Sequence, residues 1–155
     1  MAKGDAFIFQ YTMQLAFEGE LDINASDVLK MVIVNNDNPP LPDDTTPTYS
    51  DYSADEVTNA GNYITGGITM TTVALAMASG ISTLTADDVV IAESVSGFTD
   101  GYWGIVIDTT ATGSPALGAI DLGGPESEQA GDVSIEFPGG VVFGFPANAL
   151  TWETP

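Results

Sequence analysis

The sequence predicts an all-β fold, an antiparallel β-sandwich with jelly-roll-like winding and one short helix. Three observations carry this. About eight or nine short apolar runs follow one another with turn signals between them, as in sandwiches and barrels. Seventeen Gly and nine Pro punctuate the chain. Thr and Val, which favour strands, are frequent, and no long stretch has strong helical periodicity.

The elements follow in chain order. Phe7, Phe9, Tyr11, Met13 and Leu15 alternate with Ile8, Gln10, Thr12 and Gln14. That period of two predicts a strand over 6–17, against a competing short helix in the Gln-Leu-Ala-Phe-Glu run. Residues 1–20 are expected to be an assembly arm or first strand, and 21–155 a single β-sandwich domain. Lys30 to Asn35 is the clearest strand, apolar on both faces and hence central. Ser26 and Asp27 turn the chain into it. Asn35 to Thr48 is a loop, because Pro39, Pro40, Pro42 and Pro47 supply turns and remove backbone donors. A short helix is expected from Tyr49 to Asn59. Ser53 would cap it, with Asp55 and Glu56 in the first turn, Glu56 at capping-box spacing, and Gly61 ending it.

Strands are then expected at 63–65, 67–77, 81–85, 88–95, 102–109, 116–121, 131–137, 141–144 and 149–153. Gly66-Gly67 reads as a bulge or close backbone approach. Asp100-Gly101 reads as a turn between Phe98 and Tyr102. Thr109–Pro115 and Gly123-Gly124-Pro125 read as loops, and Pro138-Gly139-Gly140 as a break between apolar runs.

Composition bounds the function. The 155 residues carry 22 acids and two Lys, Lys3 and Lys30, for a formal net charge of −20, with no Arg, His or Cys. This excludes a Ser-His-Asp triad, a thiol nucleophile, a tetrahedral zinc site, a disulfide and a bidentate phosphate clamp. Nucleic acid and anionic membranes would repel the chain, so neither is an expected partner. Disorder is also excluded, because the chain is 44% hydrophobic and only 15% charged. So many apolar residues for so few charges point to a large core or to a surface buried in an assembly.

The charge is unevenly placed. Eleven acids lie between Asp5 and Glu56 and eleven between Asp87 and Glu153, while Val57 to Ala86 has none. Gly61, Gly66, Gly67 and Gly80 interrupt any membrane helix in that neutral segment. Asp5, Gln10 and Gln14 break the apolar run a signal peptide needs, so the Asn24-Ala25-Ser26 sequon is expected to be idle.

Carboxylates, hydroxyls and two Lys are the remaining chemical repertoire. A carboxylate pair can hydrolyse glycosides, and Asp100 near Tyr102 and Trp103 is the best local candidate. The stronger reading is a turn followed by a buried strand. Lys30 inside its apolar strand reads as a snorkelling side chain rather than a nucleophile. Asp43-Asp44, Asp51 with Asp55 and Glu56, and Asp87-Asp88 are oxygen-rich groups suited to a structural Ca²⁺, although none follows the helix-flanked calcium-loop pattern. No other cofactor is implied.

The ordered motifs resemble a known group. They are Asp27-Val-Leu-Lys30-Met-Val-Ile-Val34; Tyr49-Ser-Asp-Tyr-Ser-Ala-Asp-Glu56-Val57; Asn62-Tyr63-Ile-Thr-Gly66-Gly67-Ile-Thr-Met70; Ala86-Asp87-Asp88-Val89; Gly101-Tyr102-Trp103-Gly-Ile-Val-Ile-Asp108; Ala119-Ile120-Asp121-Leu122-Gly123; and Gly131-Asp132-Val-Ser-Ile-Glu-Phe-Pro-Gly-Gly140-Val. Over about residues 20–152 the chain resembles small all-β virion structural proteins of tailed bacteriophages. The resemblance implies no enzymatic activity. It implies a capsid decoration (cement) protein, made in the host cytoplasm and bound to the outer capsid surface. Its partners would be the major capsid protein and itself, as a homotrimer.

That role predicts an apolar contact surface drawn from Ile64, Ile68, Met70, Val73, Leu75, Met77, Val141, Phe143 and Phe145. The alternative is a tail- or head-associated module that binds a host receptor or glycan. It predicts exposed aromatics in loops, such as Tyr49, Tyr52 and Trp152.

Overall fold

A computed structural model of the chain describes residues 3–21, 23, 26–58, 60–78 and 81–145. The fold is all-β and antiparallel. Its strands are β1 (Ala6–Ile8), β2 (Leu29–Val34), β3 (Ile68–Thr69), β4 (Ala74–Ala78), β5 (Ile81–Thr85), β6 (Val89–Ile91), β7 (Gly101–Asp108), β8 (Ala116–Glu126), β9 (Val133–Ile135) and β10 (Val141–Phe145). One helix of nine residues, α1 (Gln10–Glu18), and one single turn, α2 (Tyr49–Tyr52), interrupt them.

A five-stranded sheet has the order β1-β8-β7-β2-β3, and smaller sheets have the orders β10-β5-β4 and β6-β9. Three pairings are nested: β5 with β10, β6 with β9, and β7 with β8. The chain thus runs as a double strand folded back at the loop over 109–115, which gives the sandwich its jelly-roll-like winding.

Strand β2 explains the layering. Alternate residues point to opposite faces of a sheet. Leu29, Met31 and Ile33 enter the large core between the five-stranded sheet and the smaller sheets, with Leu84, Ile91, Ile135 and Phe143. Val32 and Val34 enter a second core on the other face, with Phe9, Tyr52, Ile105 and Ile107. The strand is buried on both faces, as its unbroken apolar run predicts.

Several elements differ from the sequence reading, each for a physical reason. Residues 6–17 are not one strand. The β1 pairing ends at Ile8 opposite Gly118, and the chain turns into α1. Phe9, Thr12 and Leu15 bury one side, and the Thr12 hydroxyl donates to the Leu117 carbonyl at 2.8 Å. Gly19 closes the helix in the left-handed conformation at φ 74°. The first residues are therefore built into the sheet.

The second helical segment is shorter than expected, and Ser53 ends it rather than capping its start. At its start, Asp51 accepts from the Thr48 N–H and hydroxyl, both at 2.8 Å. Residues 63–65 form no strand, and the run 67–77 divides into β3 and β4 around Thr72, which has φ 55°. Asp100-Gly101 is not a hairpin turn, because β6 and β7 lie in different sheets. Gly123-Gly124-Pro125 lies inside β8 rather than in a loop. The register slips there, Gly101 facing Glu126 while Trp103 faces Asp121. The extra residues fit because Gly124 lets the backbones close; a Cβ on it would stand 3.0 Å from Tyr102 Cα. Gly67 makes the close approach expected of it, since its Cβ would meet the Met31 carbonyl oxygen at 2.6 Å. The expected strand at 149–153, Trp152 and the Asn24 acceptor lie outside the described residues.

Candidate functional site

Many acids act as internal acceptors, which matters in a chain with two Lys. Glu56 joins three segments. Its carboxylate accepts from the Tyr49 hydroxyl at 2.7 Å, the Tyr63 hydroxyl at 2.6 Å and the Gly66 N–H at 2.7 Å. The Tyr63 hydroxyl in turn accepts from the buried Ile33 N–H at 3.0 Å. β3 covers β2 only at Lys30 and Met31. Beyond it, the Tyr63 hydroxyl and the Val57 N–H satisfy the backbone of Ile33. A side chain thus finishes an edge that no strand covers.

The groups considered for Ca²⁺ have the same character. Asp44 accepts from the Tyr52 hydroxyl and the Leu41 N–H. Asp87 accepts from the hydroxyls of Thr71 and Thr72, and Asp88 from the Phe137 N–H. Among the described residues, no three or more acids come together where a metal ion could be held. Buried Asp108 accepts from the N–H groups of Thr110 and Ala111. Glu128 is fully buried and accepts from the Asn62 N–H, while its Oε2 finds no partner among the described residues.

These contacts perturb the tyrosines. Burial first, then the hydrogen bond to Glu56, pushes Tyr49 up to about 12. Burial likewise raises Tyr52 and Tyr63 well above the ordinary phenol value, reinforced by Asp44 and Glu56 respectively. The hydroxyls stay protonated as donors, and they bind the loop over 35–48 and the segment over 56–66 to the sheet.

An open cleft of about 410 Å³ lies beside β8, β9 and the start of the chain, lined by Ile120, Leu122, Ile135, Phe137, Lys3 and Glu126 among others. Lys3 is paired with Glu126 at its rim. Ser134 is the lining hydroxyl, and Asp121, Glu126 and Glu136 are the lining carboxylates. Near Asp100, the Trp103 indole donates to Asn36 Oδ1 at 3.0 Å and packs on the second core. Lys30 is half-buried at the start of β2, opposite Ile107 and Thr69.

The contact residues expected from the sequence divide into three sets. Met70 and Phe143 are core residues, and Ile68 and Val73 pack against the core half-buried. Ile64, Leu75 and Val141 are exposed, as is Ile81 at the start of β5. Met77 and Phe145 occupy β4 and β10, but their side chains lie outside the described residues. Of the aromatics expected in binding loops, Tyr49 and Tyr52 are turned inward. Tyr52 is buried, and Tyr49 is half-buried with its hydroxyl bonded to Glu56.

One surface stands apart. The β4–β5 hairpin belongs wholly to the uncharged segment 57–86. Phe143, Leu84 and Leu75 form one cross-strand row over β10, β5 and β4. Their exposures are 6%, 3% and 52%, so the core-facing row emerges into solvent at its last strand. Periodicity marks Leu75 as inward-facing, but which strand is the edge could not be read from it. Set against family models, curated proteins and solved structures, the chain matches none.

Proposed function

We propose that this chain is a virion structural protein of a tailed bacteriophage, a capsid decoration protein that binds the outer surface of the head and stabilises the shell. The observation that carries this reading is the separation of charge. A neutral hairpin with an open apolar edge belongs to a fold whose remaining residues carry a net charge of −20. An acidic skin is repelled by packaged DNA and suits the outside of a head. A neutral apolar edge suits protein contact. The buried carboxylates accept hydrogen bonds within the fold, which is a structural rather than a chemical use of acids.

The major capsid protein is the partner, and the chain also associates with itself. Binding to the assembled shell but not to free subunits stabilises the shell by mass action. The test adds purified protein to heads that lack it, then measures co-sedimentation and heat-induced DNA release. Binding at saturable copy number with later release supports the reading. No binding at micromolar concentration overturns it.

A further inference from the structure

We propose that the open edge of β4 pairs with β4 of a second copy across a twofold axis, joining two three-stranded sheets into one six-stranded sheet.

The backbone sets the geometry. The carbonyls of Ala74 and Ala76 face β5, where the hydroxyls of Thr85 and Thr83 reach them at 3.2 and 3.3 Å. Alternation along a strand then turns the N–H and C=O of Leu75 and Met77 to the other side. No described residue pairs with them there, because β4 ends its sheet. Such an edge is a template for another strand. Nature usually blunts exposed edges with charge or Pro, and Ala-Leu-Ala-Met-Ala has neither.

Two observations select a second copy as the occupant. The first is charge. Two chains of −20 can approach closely only where neither carries acids, and the hairpin lies in the segment without any. A basic partner would favour the acidic remainder instead. The second is self-complementarity. The five-residue strand reads almost the same in both directions, and antiparallel pairing centred on Ala76 places Leu75 opposite Met77 of the second copy and Ala74 opposite Ala78. The outward backbone groups of Leu75 and Met77 become the hydrogen-bonded pairs, and both Leu75 side chains lie on the core-facing side. The half-exposed end of the Phe143–Leu84–Leu75 row is thereby covered. A symmetric contact of this kind closes as a dimer. The pairing occupies the same apolar edge that supports the head-binding reading, but it is measured on the isolated protein, so dimerisation and head binding can each fail alone.

Because the chain has no Cys, a single introduced thiol can cross-link only to another copy. Ala76 sits on the axis as a non-hydrogen-bonded pair, with Cα atoms about 4.5 Å apart, within disulfide reach. Two Ala74 residues would stand roughly 14 Å apart, from the four-residue offset at about 3.4 Å per residue. Ala76→Cys is therefore expected to give a covalent dimer under mild oxidation at least tenfold faster than Ala74→Cys. The unmodified protein should sediment as a dimer. Leu75→Lys, at a position already half-exposed, should sediment as a monomer with an unchanged circular dichroism spectrum. A monomeric or trimeric unmodified protein, equal cross-linking at both positions, or a folded Leu75→Lys dimer would each overturn the pairing.

Discussion

Replacing Tyr63 by Phe tests whether a side chain completes the edge of β2. The substitution keeps the ring and its edge-to-face contact with Phe98, whose centroid lies 5.6 Å away. It deletes one hydroxyl that makes two bonds. The Ile33 N–H, in a fully buried residue, loses its partner, at about 1–3 kcal/mol. The Glu56 carboxylate loses one of three donors but keeps Tyr49 and Gly66, so its loss falls near the low end of about 1.5–3 kcal/mol for a charged hydrogen bond. Together these give about 3 kcal/mol. Urea unfolding followed by circular dichroism reads it directly. With a slope of about 2 kcal/mol per molar, the midpoint should fall by about 1.5 M while the slope is unchanged. Tyr49→Phe removes a single bond from a half-exposed residue and should cost under about 1 kcal/mol. A Tyr63→Phe loss no larger than that of Tyr49→Phe would refute the edge-cap argument.

Alkaline titration gives an independent check. The pKa values of Tyr49, Tyr52 and Tyr63 are raised in the folded state above 10.0, so their contribution is intact below pH 10 and is lost as pH rises through the folded values. Each tyrosine protonated only in the folded state should lower stability by about 1.4 kcal/mol per pH unit above 10. Denaturant midpoints on either side of pH 10 should show this, and a flat profile would contradict it. Gly97→Ala would bring its Cβ to 2.5 Å from Glu128 Cδ, so a loss of about 2–3 kcal/mol or failure to fold is expected. Gly113→Ala meets nothing within 4 Å and should cost only about 1–2 kcal/mol, from its φ of +82°. Thermal melts of both variants compare the two. Finally, 22 acids against two Lys imply net repulsion, so the melting temperature should rise with added monovalent salt as the Debye length contracts to about 10 Å at 0.1 M. No rise would mean that the carboxylates are spaced too far apart to repel.

Local and additive features were readable from the chain alone. Strand β2 was legible because its run Met31 to Val34 is unbroken and apolar, and all four of those positions are buried. The all-β class followed from repeated turn signals, and the excluded chemistries followed from missing residue types. The tight approach at Gly67 was legible too, because a Cβ there would meet the Met31 carbonyl oxygen at 2.6 Å. Tertiary structure decided whatever depended on which neighbour arrives. The alternating run from Phe7 to Leu15 became a helix because the β1–β8 pairing stops at Gly118, and local periodicity cannot know where a partner ends. Gly123 to Pro125 entered a strand because β7 could accept a bulge opposite them. Tyr52 turned inward because Asp44 was there to take its hydroxyl. Met70 and Leu75 belong to the same neutral segment, yet one is core and the other emerges at a sheet edge. Hydrophobicity is a property of a residue, but being last in a sheet is a property of the strand order, and only the folded chain sets that order.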